Sequence, residues 1–393
     1  MSIHRGEDGF TITELLISTT IMLLVTGAAL TTFKNGLNIN ETASQLADAN
    51  QNLRAGTNQL VRDLMMAGRI IAGDGVPAPS GTGALAIQRP GPPGTSLTFA
   101  LVADTNGILN LPSITHGYHL GPSIIGSPTD MITVLTVDEF MPTLQGQGAG
   151  VPTGLQGTIA PDGSSVTFPA TSPWLVGDTV ADTQPINVGD IVLFKNANGS
   201  ALQVVTSKDA THINFAQSPD PSDWFNFNQR SASYTGTVYC IKTVSACDSL
   251  SALPPTNVTN AVLTMNFPPT SLSRALMITY YVDNTTTPGE PRLTRVINHF
   301  APQGLAGVVE DLDITYDLVD PLSNSVSGIT SMPYTDPVTS VTYTNNMIKK
   351  INLHVGVRSE TISKPAQDYV RNHITTAVDV RSLASISRYG QVQ

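Results

Sequence analysis

Gly9, Phe10 and Glu14 are the residues whose types and spacing bear most directly on chemistry; they stand in the run GFTITELLISTTIMLLVTGAAL, residues 9–30. Hydrolysis of the peptide bond after Gly9 would place a charged α-amine on Phe10, four residues from the Glu14 carboxylate. Between Phe10 and Leu30 there is no Lys, Arg, Asp or Pro, and Glu14 is the only charge. Those residues form a helix of roughly 30 Å, enough to cross a bilayer. A carboxylate in such a span costs on the order of 2.5–3.5 kcal/mol unless it finds a partner. The natural partner is an amine, on the same chain or on a neighbouring copy, in a buried pair that sets register between subunits. A plain signal anchor with an incidental Glu near the interface is the alternative. A secretory signal would be cut after its apolar core, whereas the candidate cut here lies before it.

Cys240 and Cys247 are the only cysteines, in YCIKTVSACDSL. Their spacing suits a bridge over a small loop in an oxidising compartment. A redox pair has the closer CxxC spacing, and zinc needs two further ligands that the neighbourhood does not offer. His116 and His119, in HGYHL, are the closest histidine pair; a metal on a turn competes there with a surface loop, and the missing acidic or Cys partner favours the loop. Glu310, Asp311, Asp313, Asp317 and Asp320 form the densest acidic run. Alternation puts Asp311, Asp313, Thr315 and Asp317 on a solvated strand face opposite Leu312, Ile314, Tyr316 and Leu318. The order of oxygens matches no calcium loop. GPPGTS at 91–96 lacks the Lys and the following helix of a phosphate loop, and no Ser, His and Asp arrangement has motif support. Trp174, Trp224 and Phe225 lie in Pro- and Asp-rich stretches, as contact residues or, the favoured reading, as satellite packing. No catalytic, cofactor or metal site is expected, and the chain is not read as an enzyme.

These residues must be positioned by larger elements. After Leu30 the pattern turns amphipathic, with Leu46, Leu53 and Leu60 at sevenfold spacing and Leu64, Met65 and Ile70 continuing the stripe. Gly68, Gly73, Gly75 and Pro77 are stop signals. One helix over residues 10–70 is therefore expected, its 10–30 portion spanning a membrane and its second half packed on a head. Residues 71–95, rich in Pro and Gly, read as an extended linker and a poor place for a core. The remainder, 96–393, reads as a β-rich head: only 13% of the 393 residues are charged, which with abundant Gly, Pro, Ser and Thr favours short strands and turns. Strands are expected over 96–102, 131–137, 164–168, 190–194, 201–206, 211–215, 262–267, 276–282, 292–298, 311–318 and 348–357. Asn198-Gly199 supplies the positive φ of a hairpin within GDIVLFKNANGSALQVV. In INLHVGV, Ile351, Leu353, Val355 and Val357 share one face, the mark of a half-buried antiparallel strand. The net charge of −10 argues against nucleic acid as a general partner.

The segment GFTITELLIS resembles the class III signal of type IV prepilins and type II secretion pseudopilins, joining Gly9, Phe10, Glu14 and the apolar run in the right order after a leader of the right length. The leader MSIHRGEDG departs in offsetting Arg5 with Glu7 and Asp8, and the span lacks the kinking Pro of many major pilins. The C-terminal half is similar, less specifically, to the heads of PilW-type minor pilins and GspJ-type pseudopilins. Tyr281, Val282, Pro291 to Arg295, a VEDL-like turn or short helix at Val309 to Leu312, Tyr316, Val357 and Arg358 carry that likeness; Arg381-Ser382 departs from it. Residues 141–260 lie mostly outside the likeness and are expected to be an insertion.

The resemblance implies an α+β fold, a long pilin helix on a large antiparallel β-rich head. It implies removal of the leader 1–9 by prepilin peptidase, N-methylation of Phe10 and an assembly or register role for Glu14. The expected function is that of a minor pilin priming assembly near the tip of a type IV pilus, since a bulky, weakly charged head fits a rare subunit better than a repeated one. A GspJ-like type II secretion pseudopilin and a tip adhesin or DNA-uptake subunit are the alternatives. Expected partners are the peptidase, other minor and major pilins, the inner-membrane assembly platform and, before assembly, membrane lipid. The expected location is the inner membrane, single-pass with a periplasmic head, and then the pilus at the cell surface.

Overall fold

The computed structural model describes residues 10–71, 75–101, 103, 108–141, 143–146, 156–176, 185–230, 236–242, 266–363 and 367–380. The N-terminal element is one helix, α1 (Ile12–Met65). No Pro interrupts it and Gly is confined to positions 27, 36 and 56, so propagation is uninterrupted. It stops at Met66, and Gly68 follows with φ +73°, donating its N–H to the Leu135 carbonyl at 3.1 Å. The end falls a few residues before the expected residue 70 because residues 66–70 close as turns.

The two halves of α1 differ in surroundings. Apolar residues from Ile12 to Ile39 stand exposed, whereas Ala49, Leu53, Leu60 and Leu64 are buried against the head. Leu46, Met65 and Ile70, expected on the buried stripe, are exposed. At Gly56 the helix comes so close that a Cβ would lie 2.7 Å from Ala306 Cβ.

The head is built on one large sheet. Its labelled strands are β1 (Ile114–Gly117), β2 (Met131–Val137), β3 (Ile191–Asn196), β4 (Gly199–Val204), β5 (Ser271–Asp283), β6 (Arg292–Ile297), β7 (Gln303–Val319), β8 (Ile348–Ser363) and β9 (Asp368–Asp379). All pairings among them are antiparallel. β5 is the hub: β2 lies along one edge, and β3 and β6 follow one another along the other. From β6 the sheet continues through β7 and β8 to β9. Helix α1 packs on β7, β8 and β9, burying its leucines against Val309, Leu312, Leu353 and Val355. The fold is thus α+β, a long apolar N-terminal helix joined to an antiparallel β-rich head.

Several sequence expectations change here. Val309 to Leu312 is not a turn or short helix; it lies inside β7, where the pairing with β8 shifts register between Val309 and Asp311. Such a bulge lets a long strand bend while the alternation is kept. The described residues of 71–95 hold two short strands, Val76–Pro77 and Gln88–Arg89, and a 3-10 turn, Gly83–Leu85, and they pack into the head: Ile71, Val76, Ala78 and Ile87 join a buried cluster with Phe225, Phe227 and Met277. Burial of these apolar side chains holds the segment where ladder bonds are few. In the described part of 141–260, β3 hydrogen-bonds to β5 and is buried on both faces, Val192 and Phe194 in one cluster and Ile191 and Leu193 in another. The β3–β4 hairpin forms as expected, with positive φ at Gly199 but not at Asn198. The 96–102 strand shrinks to Leu97–Thr98, and most of 262–267 lies outside the described residues.

Candidate functional site

The candidate site is the start of α1 and the apolar rod that follows. Thr11 is the N-cap, and its Oγ1 accepts the Glu14 N–H at 3.3 Å. Glu14 answers through Oε2, which accepts the Thr11 N–H at 3.0 Å and the Thr11 hydroxyl at 2.8 Å. This reciprocal capping box satisfies orphan donors of the first turn and places a carboxylate at the positive end of the helix dipole. Phe10 follows Gly9 in this chain, so its nitrogen is a peptide amide, and Glu14 finds its partner in Thr11. The T-x-x-E spacing ahead of an apolar run was the available signal for this, and the charge argument overlooked it.

The rod itself is suited to an apolar medium. Thr19 and Thr20 donate their hydroxyls to the carbonyls of Leu15 and Leu16, and Thr31 and Thr32 to those of Gly27 and Ala28, at 2.7–3.0 Å. Ser18 donates likewise to Leu15. Hydroxyls satisfied on their own backbone remove a cost that lipid could not meet. Residues 12–39 therefore present about 40 Å of exposed, mostly apolar helix, and α1 is long and apolar enough to cross a membrane.

The second half is clamped to the head by buried polar contacts as well as by leucines. Asp63, 1% exposed, accepts from Arg295 Nε at 2.7 Å, from the Tyr280 hydroxyl at 2.5 Å and from Gln59 Nε2 at 3.1 Å. Burial, reinforced by the Asp63 charge, pushes the Tyr280 phenol well above its ordinary range, so it stays a donor. Further along, Thr42 meets Ser363, Gln45 meets Thr361 and Asn50 meets Asn372. Sequence reasoning missed Asp63 and Tyr280, and met Arg295 only as part of the head likeness, since nothing local distinguishes a buried Asp from the solvated polar residues around it.

The other residues singled out by sequence fall in separate places. Gly9, Cys247 and Arg381-Ser382 lie outside the described residues, so the cleavage junction and the cysteine pairing are not described; Cys240 sits half-buried in the 3-10 turn Val238–Ile241. His116 is not on a surface loop: it lies in β1, its Nε2 accepting the Met332 N–H at 3.2 Å, and burial with the nearby Arg89 charge holds it below its ordinary pKa. His119 is exposed, in a left-handed turn, and stacks on Tyr118. Asp311, Asp313 and Asp317 alternate with buried Leu312, Ile314, Tyr316 and Leu318, the solvated strand face that alternation implied. Glu310, at the bulge, pairs with Arg358 and Arg371 at 2.9 and 2.8 Å. Asp320 closes a turn onto Asn324. Trp174 and Phe225 are fully buried, which excludes them as contact residues, while Trp224 stacks on His299. Among the described residues no group of three or more His, Cys, Asp or Glu is arranged to hold a metal.

A single exposed apolar rod, capped at its start and rigidly continued into the head, is thus the feature that distinguishes this chain. Compared with known proteins, the chain matches no family model, no curated protein and no solved structure.

Proposed function

We propose that this protein is a minor subunit of a type IV pilus, made as a prepilin, held in the inner membrane by α1 and drawn into the filament near its tip. The observation that carries the reading is the unbroken run of α1 from an exposed apolar half into a half clamped on the head. A separate anchor joined by a flexible tether would not transmit the position of the membrane segment to the head; a continuous helix does.

In this reading prepilin peptidase cuts after Gly9 and methylates Phe10. The new amine then lies beside the Thr11–Glu14 box, and the carboxylate has two claimants: its own cap and an amine, its own or a neighbour's. The rod passes from lipid to the company of other pilin helices without exposing unsatisfied hydroxyls. The β-rich head, braced by a Cys240–Cys247 bridge, faces the periplasm and later the cell surface.

The test is intact-mass and N-terminal peptide analysis of the protein from its native membrane, with and without prepilin peptidase. A mature chain starting at N-methylated Phe10 only when the peptidase is present is the expected result. A start at Met1, or beyond Leu30, would overturn the reading. Copy number comparable to the major subunit in purified filaments would overturn the minor role.

A further inference from the structure

Residues 331–344 form a small hairpin outside the main sheet, with Tyr334–Thr335 paired to Thr342–Tyr343. Its tip is open to solvent at Val338, while Met332 and Tyr343 are buried in the cluster that holds Ile114 of β1 and Tyr316 of β7. Among the described residues one hydrogen bond joins this hairpin to another element of the head: the Met332 N–H donates to His116 Nε2 on β1 at 3.2 Å. The others close within the hairpin, as between Thr335 and Thr342 and from Asp336 to Val338 and Thr339, or join its last residue, Thr344, to Met347 of the next turn.

Nε2 can accept only while it is unprotonated, so the neutral ring carries its proton on the enclosed Nδ1. The elements packed around it bring a cation and no free acid. Arg89 lies against the same strand and donates Nη1 to the His116 carbonyl at 2.7 Å. Lys349 and Lys350, which follow the 345–347 turn on β8, add only positive charge. The carboxylates of these elements are engaged elsewhere. Asp130, next to β2, accepts the N–H groups of His119 and Ile314, and Asp317 on β7 accepts from Gly328 and Asn352. Asp320 holds Asn324, and Asp336 holds the hairpin tip. Tyr316 and Tyr343 are buried phenols whose ionisation burial opposes, so neither supplies a negative charge.

We propose that His116 is a pH-operated latch on this hairpin. When neutral, its Nε2 lone pair holds residues 331–344 against β1 through Met332. When protonated, Nε2 becomes a donor facing the Met332 N–H, and the hairpin lifts and uncovers Met332 and Tyr343. The latch is independent of the pilus reading. In the lifted form the imidazole stands in water with an ordinary pKa of about 6.5. In the closed form burial and the Arg89 charge outweigh the Asn345 side chain and hold it lower. The closed form therefore binds fewer protons. Its advantage is complete above about pH 6.5 and is lost as pH falls through the folded value. Within that window each unit of acidification raises the open population by up to about tenfold. Asp130 cannot imitate this, because burial raises its carboxyl and gives its titration the opposite sign.

The experiment is amide hydrogen exchange read by peptide mass spectrometry on the full-length protein in detergent, from about pH 8 to about pH 5, with rates corrected for the intrinsic pH dependence of exchange. The expected result is that protection over 331–344, the Met332 amide included, falls by up to about tenfold per unit below about pH 6.5, while peptides of β7 and β8 keep theirs. His116→Gln, whose side-chain carbonyl can accept from Met332 without titrating, should hold the hairpin equally at both ends of the range. Exchange of the imidazole C2 proton in the parent protein follows the titration of His116 itself. It keeps the test decisive where the variant fails to fold, because the loss of protection must track that titration. Constant protection down to about pH 5, a loss shared by β7 and β8, a loss that persists in the Gln variant, or a His116 titration at or above about 6.5 overturns the latch.

Discussion

Asp63, in the last turn of α1, and Arg295, on β6, form a 2.7 Å ion pair beneath the helix, with the Asp63 side chain 1% and the Arg295 side chain 13% exposed. The pair joins residues 232 positions apart, and the Tyr280 hydroxyl adds a hydrogen bond to the same carboxylate oxygen. Breaking one side of a buried pair leaves an uncompensated charge, at a cost of about 3–5 kcal/mol, whereas replacing both by apolar groups can be nearly neutral. Asp63→Ala should therefore lower the denaturant midpoint far more than Asp63→Leu combined with Arg295→Met. Equal losses in the two proteins would mean that the pair is not what holds the helix to the head.

Glu14 has two separable roles, as partner of Thr11 in the cap and as a charge. Gln at the same position keeps a capping box but not the charge. On the proposed pilus function, if the charge guides assembly, Glu14→Gln should fail to enter filaments as completely as Glu14→Leu while retaining its membrane insertion. If the cap is what matters, Glu14→Gln should assemble normally and Thr11→Val should fail. Quantifying each variant in membrane and filament fractions decides between them.

Acid stability carries two contributions of opposite sign. At Asp283 desolvation opposes the charge, but hydrogen bonds from Thr286 and Thr285 outweigh it, so the carboxyl lies below its ordinary 3.8. Its contribution is present above about pH 4 and is lost as pH falls through the folded value. At Asp130 desolvation prevails over the bonds from His119 and Ile314 and raises the carboxyl above 3.8. Its contribution is present below about pH 4 and is lost as pH rises through the folded value. Carboxyl titration by NMR should place the two on opposite sides of 3.8. Asp283→Asn should flatten the acid limb of the stability profile, and Asp130→Asn the limb above it.

Gly117 makes room for a buried arginine. A Cβ there would lie 2.8 Å from the Met131 carbonyl oxygen and 2.9 Å from Arg89 Nη2. Arg89 is itself 3% exposed and donates to Thr133 Oγ1 and to the carbonyls of His116 and Thr115. Gly117→Ala should cost about 1–3 kcal/mol by overpacking. Gly36→Ala, where a Cβ meets open space on the helix, should be neutral or stabilise by about 0.5–1 kcal/mol. Urea unfolding of both proteins measures the contrast.

Periodicity alone was enough for the elements whose pattern is local. The helix over Ile12–Met65 follows from an unbroken apolar run and then leucines at helical spacing; β2, β3, β6 and β8 follow from alternation or short apolar runs between turn residues. The apolar rod was legible for the same reason, since exposure to an apolar medium requires only composition and length. Tertiary structure decided the rest. Asp63 reads as one more polar residue of a soluble helix face until Tyr280 on the hub strand β5 and Arg295 on its neighbour β6 are brought under it. Val309 to Leu312 reads as a turn until the β7–β8 ladder absorbs Glu310 as a bulge. Arg89 sits among Pro and Gly that mark a linker, yet its segment is buried, because the apolar side chains that cover it come from Phe225, Phe227 and Met277 far along the chain. Local pattern fixes backbone conformation residue by residue; which side chain is desolvated, and by what partner, depends on contacts that exist only once distant strands have paired.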